Sequence, residues 1–93
     1  MRSGYIYFLR GQNDLVKIGR TKDLTHRIRT LTRQLDFDVK LVGAFYTSNA
    51  SKVEAIIHNR LSNCLYTGEW YILPEKKMYK TIRHFSQCAI EMM

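Results

Sequence analysis

Two six-residue runs, Tyr5–Arg10 and Leu15–Arg20, flank the segment Gly11-Gln12-Asn13-Asp14. Both runs are rich in β-branched and aromatic side chains, which suit a pleated, half-buried strand. The residues between them have turn chemistry. An antiparallel hairpin near the N-terminus follows, and the rest of the chain must pack on it. Hydrophobic pairing sets an expected register, with Arg10 opposite Asp14 across a three-residue loop. Ile6 then faces Ile18 and Phe8 faces Val16 on one side. Tyr5 faces Gly19, Tyr7 faces Lys17 and Leu9 faces Leu15 on the other. One side of the hairpin is core. The other presents two tyrosines, a lysine and a glycine that leaves space.

Asp23 is a good N-cap for a helix after the hairpin. Leu24, Ile28, Leu31 and Leu35 recur at helical spacing and make one apolar face. His26, Arg29 and Arg33 fall on the opposite side, and Arg27 falls at the margin of the apolar face. Residues 39–47 read as a third strand. Ser51-Lys52-Val53-Glu54 matches a capping box, and Val53, Ile56, Ile57, Leu61 and Cys64 continue it as a helix. Gly68 to Leu73 is a short extended piece or turn, with Trp70 expected to fill the core where the last helix docks. Pro74 suits the first turn of that helix, which should end near Cys88. Met92-Met93 reads as a frayed end. The fold class is α+β: a small three-stranded antiparallel sheet flanked by helices, in the order β-β-α-β-α-(β)-α. One domain over residues 1–93 is expected.

The chain's 93 residues leave room for one modest core. A hydrophobic content of 45% excludes a disordered chain. No run reaches the roughly 18–20 apolar residues of a membrane span. The N-terminus lacks the form of a secretion signal. Two cysteines, Cys64 and Cys88, are too few for a disulfide framework, so a reduced, cytoplasmic setting is expected. Combining His58 with Cys64 and His84 with Cys88 into a zinc site needs irregular pairs on helices with apolar faces. Core cysteines and ordinary histidines account for them better.

Charge is more informative by position than in total. The net charge is +7, yet residues 1–33 carry eight basic against two acidic side chains. The remaining residues carry seven against six. Charge localised in this way points to an anionic polymer facing the N-terminal third. Solubility alone is the other account. Lys76, Lys77 and Lys80 form a small basic run on the last helix and read as a solvated face.

Four side chains carry candidate chemistry. A free phenol is a poor base at neutral pH, but an ammonium beside Tyr7 would favour its phenolate. Tyr7 with Lys17 would then take a proton from water. The alternative is that Tyr5 and Tyr7 are half-buried strand aromatics and Lys17 a solvated strand lysine. Arg27, at a helix margin, is placed to reach the sheet and hold a phosphate bidentately. Glu54 lies off the apolar centre of its helix, and a carboxylate there suits Mg²⁺, which needs few protein ligands. Its alternative role is the capping partner of Ser51.

Taken together, Gly4-Tyr5-Ile6-Tyr7, Val16 to Leu24, Arg27 and Glu54 resemble the GIY-YIG nuclease superfamily. The resemblance runs from Tyr5 to about Leu73. Its most specific element is Ile18-Gly19-x-Thr21-x-Asp23-Leu24-x-x-Arg27. Ala55 to Tyr71, with His58 and the Gly68-Glu69-Trp70-Tyr71 close, is similar to a compact branch of phages and large DNA viruses. The resemblance implies a metal-dependent DNA endonuclease that hydrolyses phosphodiester bonds. In that scheme Glu54 binds Mg²⁺ or Mn²⁺, Arg27 holds the phosphate and Tyr7 activates water over the Tyr7/Lys17 face. Gly19 is the motif glycine that lets backbone and substrate approach. Tyr5 and Lys17 complete the catalytic set at two departures, standing where the motifs normally have glycine and tyrosine. His58, one helical turn after Glu54, is a candidate to support the metal ligand. Arg20, Lys22, Arg29 and Arg33 would hold flanking phosphates of DNA. So short a chain is expected to be a nuclease core with little attached. Specificity is then expected from a homodimer, a partner protein or the shape of the DNA. The location would be the cytoplasm, or the host cytoplasm for a phage-encoded chain. The competing class is a non-catalytic, basic nucleic-acid-binding module of the same fold.

Overall fold

The computed structural model describes residues 2–91, with side-chain surroundings as far as Cys88. The expectation for Met92-Met93 lies outside the described residues. The chain runs β1 (Gly4–Arg10), β2 (Leu15–Thr21), α1 (Leu24–Gln34), β3 (Lys40–Thr47) and α2 (Ala50–Arg60). A 3₁₀ turn (Ser62–Cys64), β4 (Leu65–Thr67), β5 (Trp70–Ile72) and α3 (Glu75–Glu91) complete it. The class is α+β as expected. The sheet, however, has five strands in the order β3-β1-β2-β5-β4, all paired antiparallel.

The two additional strands come from the segment read as a helix end and a single extended piece. α2 stops at Arg60, and Leu61 leads into the 3₁₀ turn. Leu65–Thr67 then folds back on Trp70–Ile72 around Gly68, whose φ of 56° glycine adopts without steric cost. Each strand is three residues long, below the length at which alternation becomes legible.

The hairpin forms, but two residues out of the expected register. Tyr7 pairs with Gly19, Phe8 with Ile18 and Leu9 with Lys17. The turn explains the shift. Asn13 and Asp14 both adopt positive φ, 55° and 63°, and the Leu15 N–H bonds the Gln12 carbonyl at 3.0 Å. That mirror-image turn at Asn13-Asp14 lies inside a three-residue loop, Gln12 to Asp14, which the Gly11 N–H closes on the Leu15 carbonyl at 2.8 Å. The loop moves one residue along the chain and the register by two. A shift of two keeps every side chain on its expected face.

Both faces of the sheet are covered. Ile6, Phe8, Val16 and Ile18 pack with Val53, Ile57, Leu61, Tyr71, Met78 and Phe85, under α2 and α3. Tyr7, Leu9 and Leu31 form a smaller cluster on the other side, joined by half-buried Leu24, Ile28, Leu35 and Val39. α1 therefore uses the apolar face its spacing predicts. Its N-cap is Asp23, whose side chain accepts from the His26 N–H at 3.0 Å. α2 departs from expectation at its start. Asn49 is the N-cap, its side chain accepting from the Lys52 N–H at 3.2 Å. Ser51 thus lies inside the helix, and Glu54 is free of any capping role. Pro74 closes the first turn of α3, its carbonyl accepting from Met78 at 2.9 Å.

Trp70 does not sit where α3 docks. Strand alternation sends Tyr71 to the α2 side and Trp70 to the other, against Phe37 at 5.5 Å between ring centroids. Cys64 and Cys88 are unpaired. No helix of the described residues is long and apolar enough to cross a membrane.

Candidate active site

β5 covers only part of β2. The ladder runs from Leu15 to Lys17, and one further bond joins the Ile18 N–H to the Glu69 carbonyl at 3.1 Å. From Gly19 onward β2 is paired with β1 alone. Around this stretch two groups of polar side chains collect, one on each side of the sheet.

On the α1 side the ring of Tyr7 lies directly over Gly19. A methyl group at Gly19 would sit 2.6 Å from Tyr7 Cζ, so only glycine permits this approach. Tyr7 is 1% exposed. Its hydroxyl is approached by Arg27 Nε at 3.5 Å, the outer limit of a hydrogen bond. Arg27 is half-buried, as its margin position on α1 predicts. Lys17 does not lie against Tyr7 in the strand pairing. The register shift places it opposite Leu9, and its ammonium bonds Glu69 Oε1 at 2.9 Å while lying 5.9 Å above the Trp70 ring. Activation of the phenol by a cross-strand lysine is therefore corrected. The charge beside the Tyr7 hydroxyl is Arg27. Tyr5 packs edge-on against Tyr46 of β3, centroids 5.5 Å apart.

The face expected to receive substrate is closed by α1, because Tyr7 and Leu9 are buried. Along the stretch of β2 beyond β5, Gly19 is buried, Arg20 is exposed and Thr21 is half-buried.

On the α2 side Glu54 is buried, and Arg20 Nη1 meets its Oε1 at 2.5 Å. Arg20 is thereby committed to Glu54, in contrast to the free phosphate contact expected of it. Lys22, Arg29 and Arg33 are exposed. His58 follows Glu54 by one turn of α2, with Nε2 3.7 Å from Glu54 Oε2. His58 Nδ1 is hydrogen-bonded to the Tyr71 hydroxyl, and the two rings stack at 5.2 Å. Burial chiefly, then Glu69 and Glu54, push the Tyr71 phenol above its usual range, so it stays neutral and can donate or accept.

Glu69 and Tyr71 are the two site residues that sequence reasoning passed over. Both lie in the Gly68-Glu69-Trp70-Tyr71 segment. Read with strand alternation, that segment puts Glu69 and Tyr71 on one face. Glu54, His58 and Glu69 each offer a ligand atom, and these atoms lie within 4.8 Å of one another. Two carboxylates and an imidazole fit a divalent cation chemically. A further sign is His58 Nε2, which is buried without a hydrogen-bond partner.

Comparison with known proteins supplies the family. The T5orf172 domain matches residues 4–86. No curated protein and no solved structure gives a significant match. The match takes in the hairpin, Arg27 on α1, Glu54 and His58 on α2, and the Glu69–Tyr71 segment. The chain belongs to the T5orf172 domain family.

Proposed function

We propose that this chain is a metal-dependent endonuclease that hydrolyses phosphodiester bonds in DNA, of the GIY-YIG type. One observation carries the proposal. Tyr7 with Arg27 on one side, and Glu54 with His58 on the other, adjoin the same uncovered stretch of β2, at Gly19 and Arg20. Membership in the T5orf172 family is compatible with it.

Arg27 would bind a non-bridging phosphate oxygen and stabilise charge as it builds in the transition state. Leaving Tyr7 for the phosphate, it would uncover the tyrosine hydroxyl to orient the attacking water by a hydrogen bond. Glu54 would hold Mg²⁺ or Mn²⁺, and the bound ion would polarise the phosphate and neutralise its charge. Arg20 would pass from Glu54 to the substrate. Lys22, Arg29 and Arg33 would grip flanking phosphates without regard to sequence.

The test is cleavage of plasmid, flap and junction DNA with Mg²⁺ or Mn²⁺. Tyr7→Phe should slow cutting about a hundredfold with DNA affinity unchanged. Glu54→Gln should abolish metal-dependent cutting. A chain that cuts nothing with either metal, or a Glu54→Gln variant as active as the parent, sinks the proposal.

A second account has its own observation. Tyr7 is buried, and Lys17, Arg20 and Arg27 all have partners within the protein. Those facts favour a non-catalytic nucleic-acid-binding module. DNA binding that survives Tyr7→Phe and Glu54→Gln, with no cleavage, would establish it.

A further inference from the structure

Glu54 and His58 are fixed by one turn of α2, whereas Glu69 arrives from the β4–β5 turn. No local sequence rule brings these three together. The sheet does so by pairing β5 against β2, and the Ile18 N–H to Glu69 carbonyl bond anchors the turn.

Their hydrogen bonding is incomplete in one respect. Glu54 Oε1 is held by Arg20, and Glu69 Oε1 by Lys17. Glu54 Oε2 faces His58 Nε2 across 3.7 Å, too far for a hydrogen bond. That nitrogen is buried and unpartnered, while the other ring nitrogen is held by Tyr71. A buried polar atom without a partner is costly and uncommon. An imidazole fixed by a bond at one nitrogen, with the other turned toward a carboxylate, has the arrangement of a metal ligand.

We propose that Glu54, His58 and Glu69 together form a three-ligand site for a divalent transition-metal ion, with Lys17 and Arg20 as its counter-ions in the metal-free protein. This rests on the metal-dependent reading above only for what the ion is used for. The ligand set itself stands on the geometry.

The donor set selects the ion. Mg²⁺ prefers oxygen ligands and sheds water reluctantly, whereas Mn²⁺ and the later divalent metals accept imidazole. One nitrogen and two carboxylate oxygens therefore favour Mn²⁺ over Mg²⁺. The charges also dictate an exchange. Two carboxylates are balanced by Lys17 and Arg20 in the free protein. A dication entering the site takes over that balance, and the ammonium and guanidinium are released beside it. Both then become available to an incoming anion, so metal and polyanion should each strengthen binding of the other.

The experiment is Mn²⁺ titration of the full chain without nucleic acid, followed by the electron paramagnetic resonance signal of the free ion. It is paired with nuclear magnetic resonance of the ring signals of the three histidines. We expect one Mn²⁺ per chain, bound at least about tenfold more tightly than Mg²⁺ in competition. Substoichiometric Mn²⁺ should broaden the His58 ring signals before those of His26 and His84. Glu69 is half-buried at the end of the β4–β5 turn. Glu69→Gln, which keeps the side chain's shape, should therefore fold normally by circular dichroism, yet weaken Mn²⁺ about tenfold or more. His58→Gln should do the same. Unchanged Mn²⁺ affinity in both variants, or His58 signals that broaden no earlier than the others, overturns the site. The outcomes separate from those of the nuclease. Three-ligand Mn²⁺ binding without DNA cleavage supports this site and defeats the endonuclease. Cleavage with unchanged metal affinity in both variants defeats this site and leaves the endonuclease standing.

Discussion

Gly19 is where a single missing Cβ decides most. The Tyr7 ring occupies the space that a side chain there would fill, and Tyr7 is itself enclosed by α1. Gly19→Ala should therefore cost about 1–3 kcal/mol, the usual range for overpacking a filled site, measured by urea denaturation. The glycine was legible in the motif, but its tyrosine partner was not, because the pairing depends on a register the turn sets. Tyr71 offers a second test. Its phenol is pushed above the usual tyrosine value in the fold. The neutral form is thus favoured in the native state. The stabilisation is fully present below the unfolded value of about 10 and is lost as pH rises through the higher folded value. Above pH 10 the parent should lose stability faster than Tyr71→Phe, in denaturation curves taken at a series of pH values. The Glu54 carboxylate was legible as a candidate. Its neighbours Arg20 and Glu69 were not, since they reach it across the sheet rather than along the chain.

Among the elements, the first hairpin and α1 were the most readable. Alternation and 3.6-residue spacing each report one buried face. α1 buries the face expected of it, while the hairpin buries the expected face under α2 and α3 and its other face under α1. Register was not readable to within two residues, because a shift of two leaves alternation unchanged. The discriminating information sits in Asn13 and Asp14, whose positive φ values make the tight turn. Asn-Gly is the favoured pair for such a turn. Asp14→Gly should leave stability unchanged or raise it by up to about 1 kcal/mol, since the exposed Arg10–Asp14 pair at 3.7 Å contributes little. Asp14→Val should lower the melting temperature, as a β-branched side chain resists positive φ. β4 escaped the sequence, and β5 was legible only as a short extended piece or turn, because three-residue strands carry too few side chains to show a period. Their existence is a tertiary fact, fixed by β2 offering an edge at Leu15 to Lys17.

For the molecule as a whole, the placement of charge carries the expectation that reaches furthest. Lys22, Arg29 and Arg33 are exposed, while Lys17, Arg20 and Arg27 are spent on partners within the protein. Free-state affinity for DNA should thus depend on the first group. Arg29→Glu with Arg33→Glu should weaken binding to all sequences alike. It should also flatten the dependence of log affinity on log salt by about one unit per phosphate contact removed. Fluorescence anisotropy at several salt concentrations measures both. The halves of the molecule also differ in how firmly they are held. α2 and α3 share the larger core, and the hairpin tip is pinned to the start of α3 by the Leu73 N–H to Asp14 carbonyl bond and the Arg10–Glu75 pair. α1 rests on the smaller cluster around Tyr7, Leu9 and Leu31. Its amides should accordingly trade hydrogen for deuterium sooner than those of α2 or β1. A helix that lifts easily takes Arg27 with it. The fold would then breathe at the one seam that bares the Tyr7 hydroxyl, and solvent would reach that phenol in brief, repeated openings.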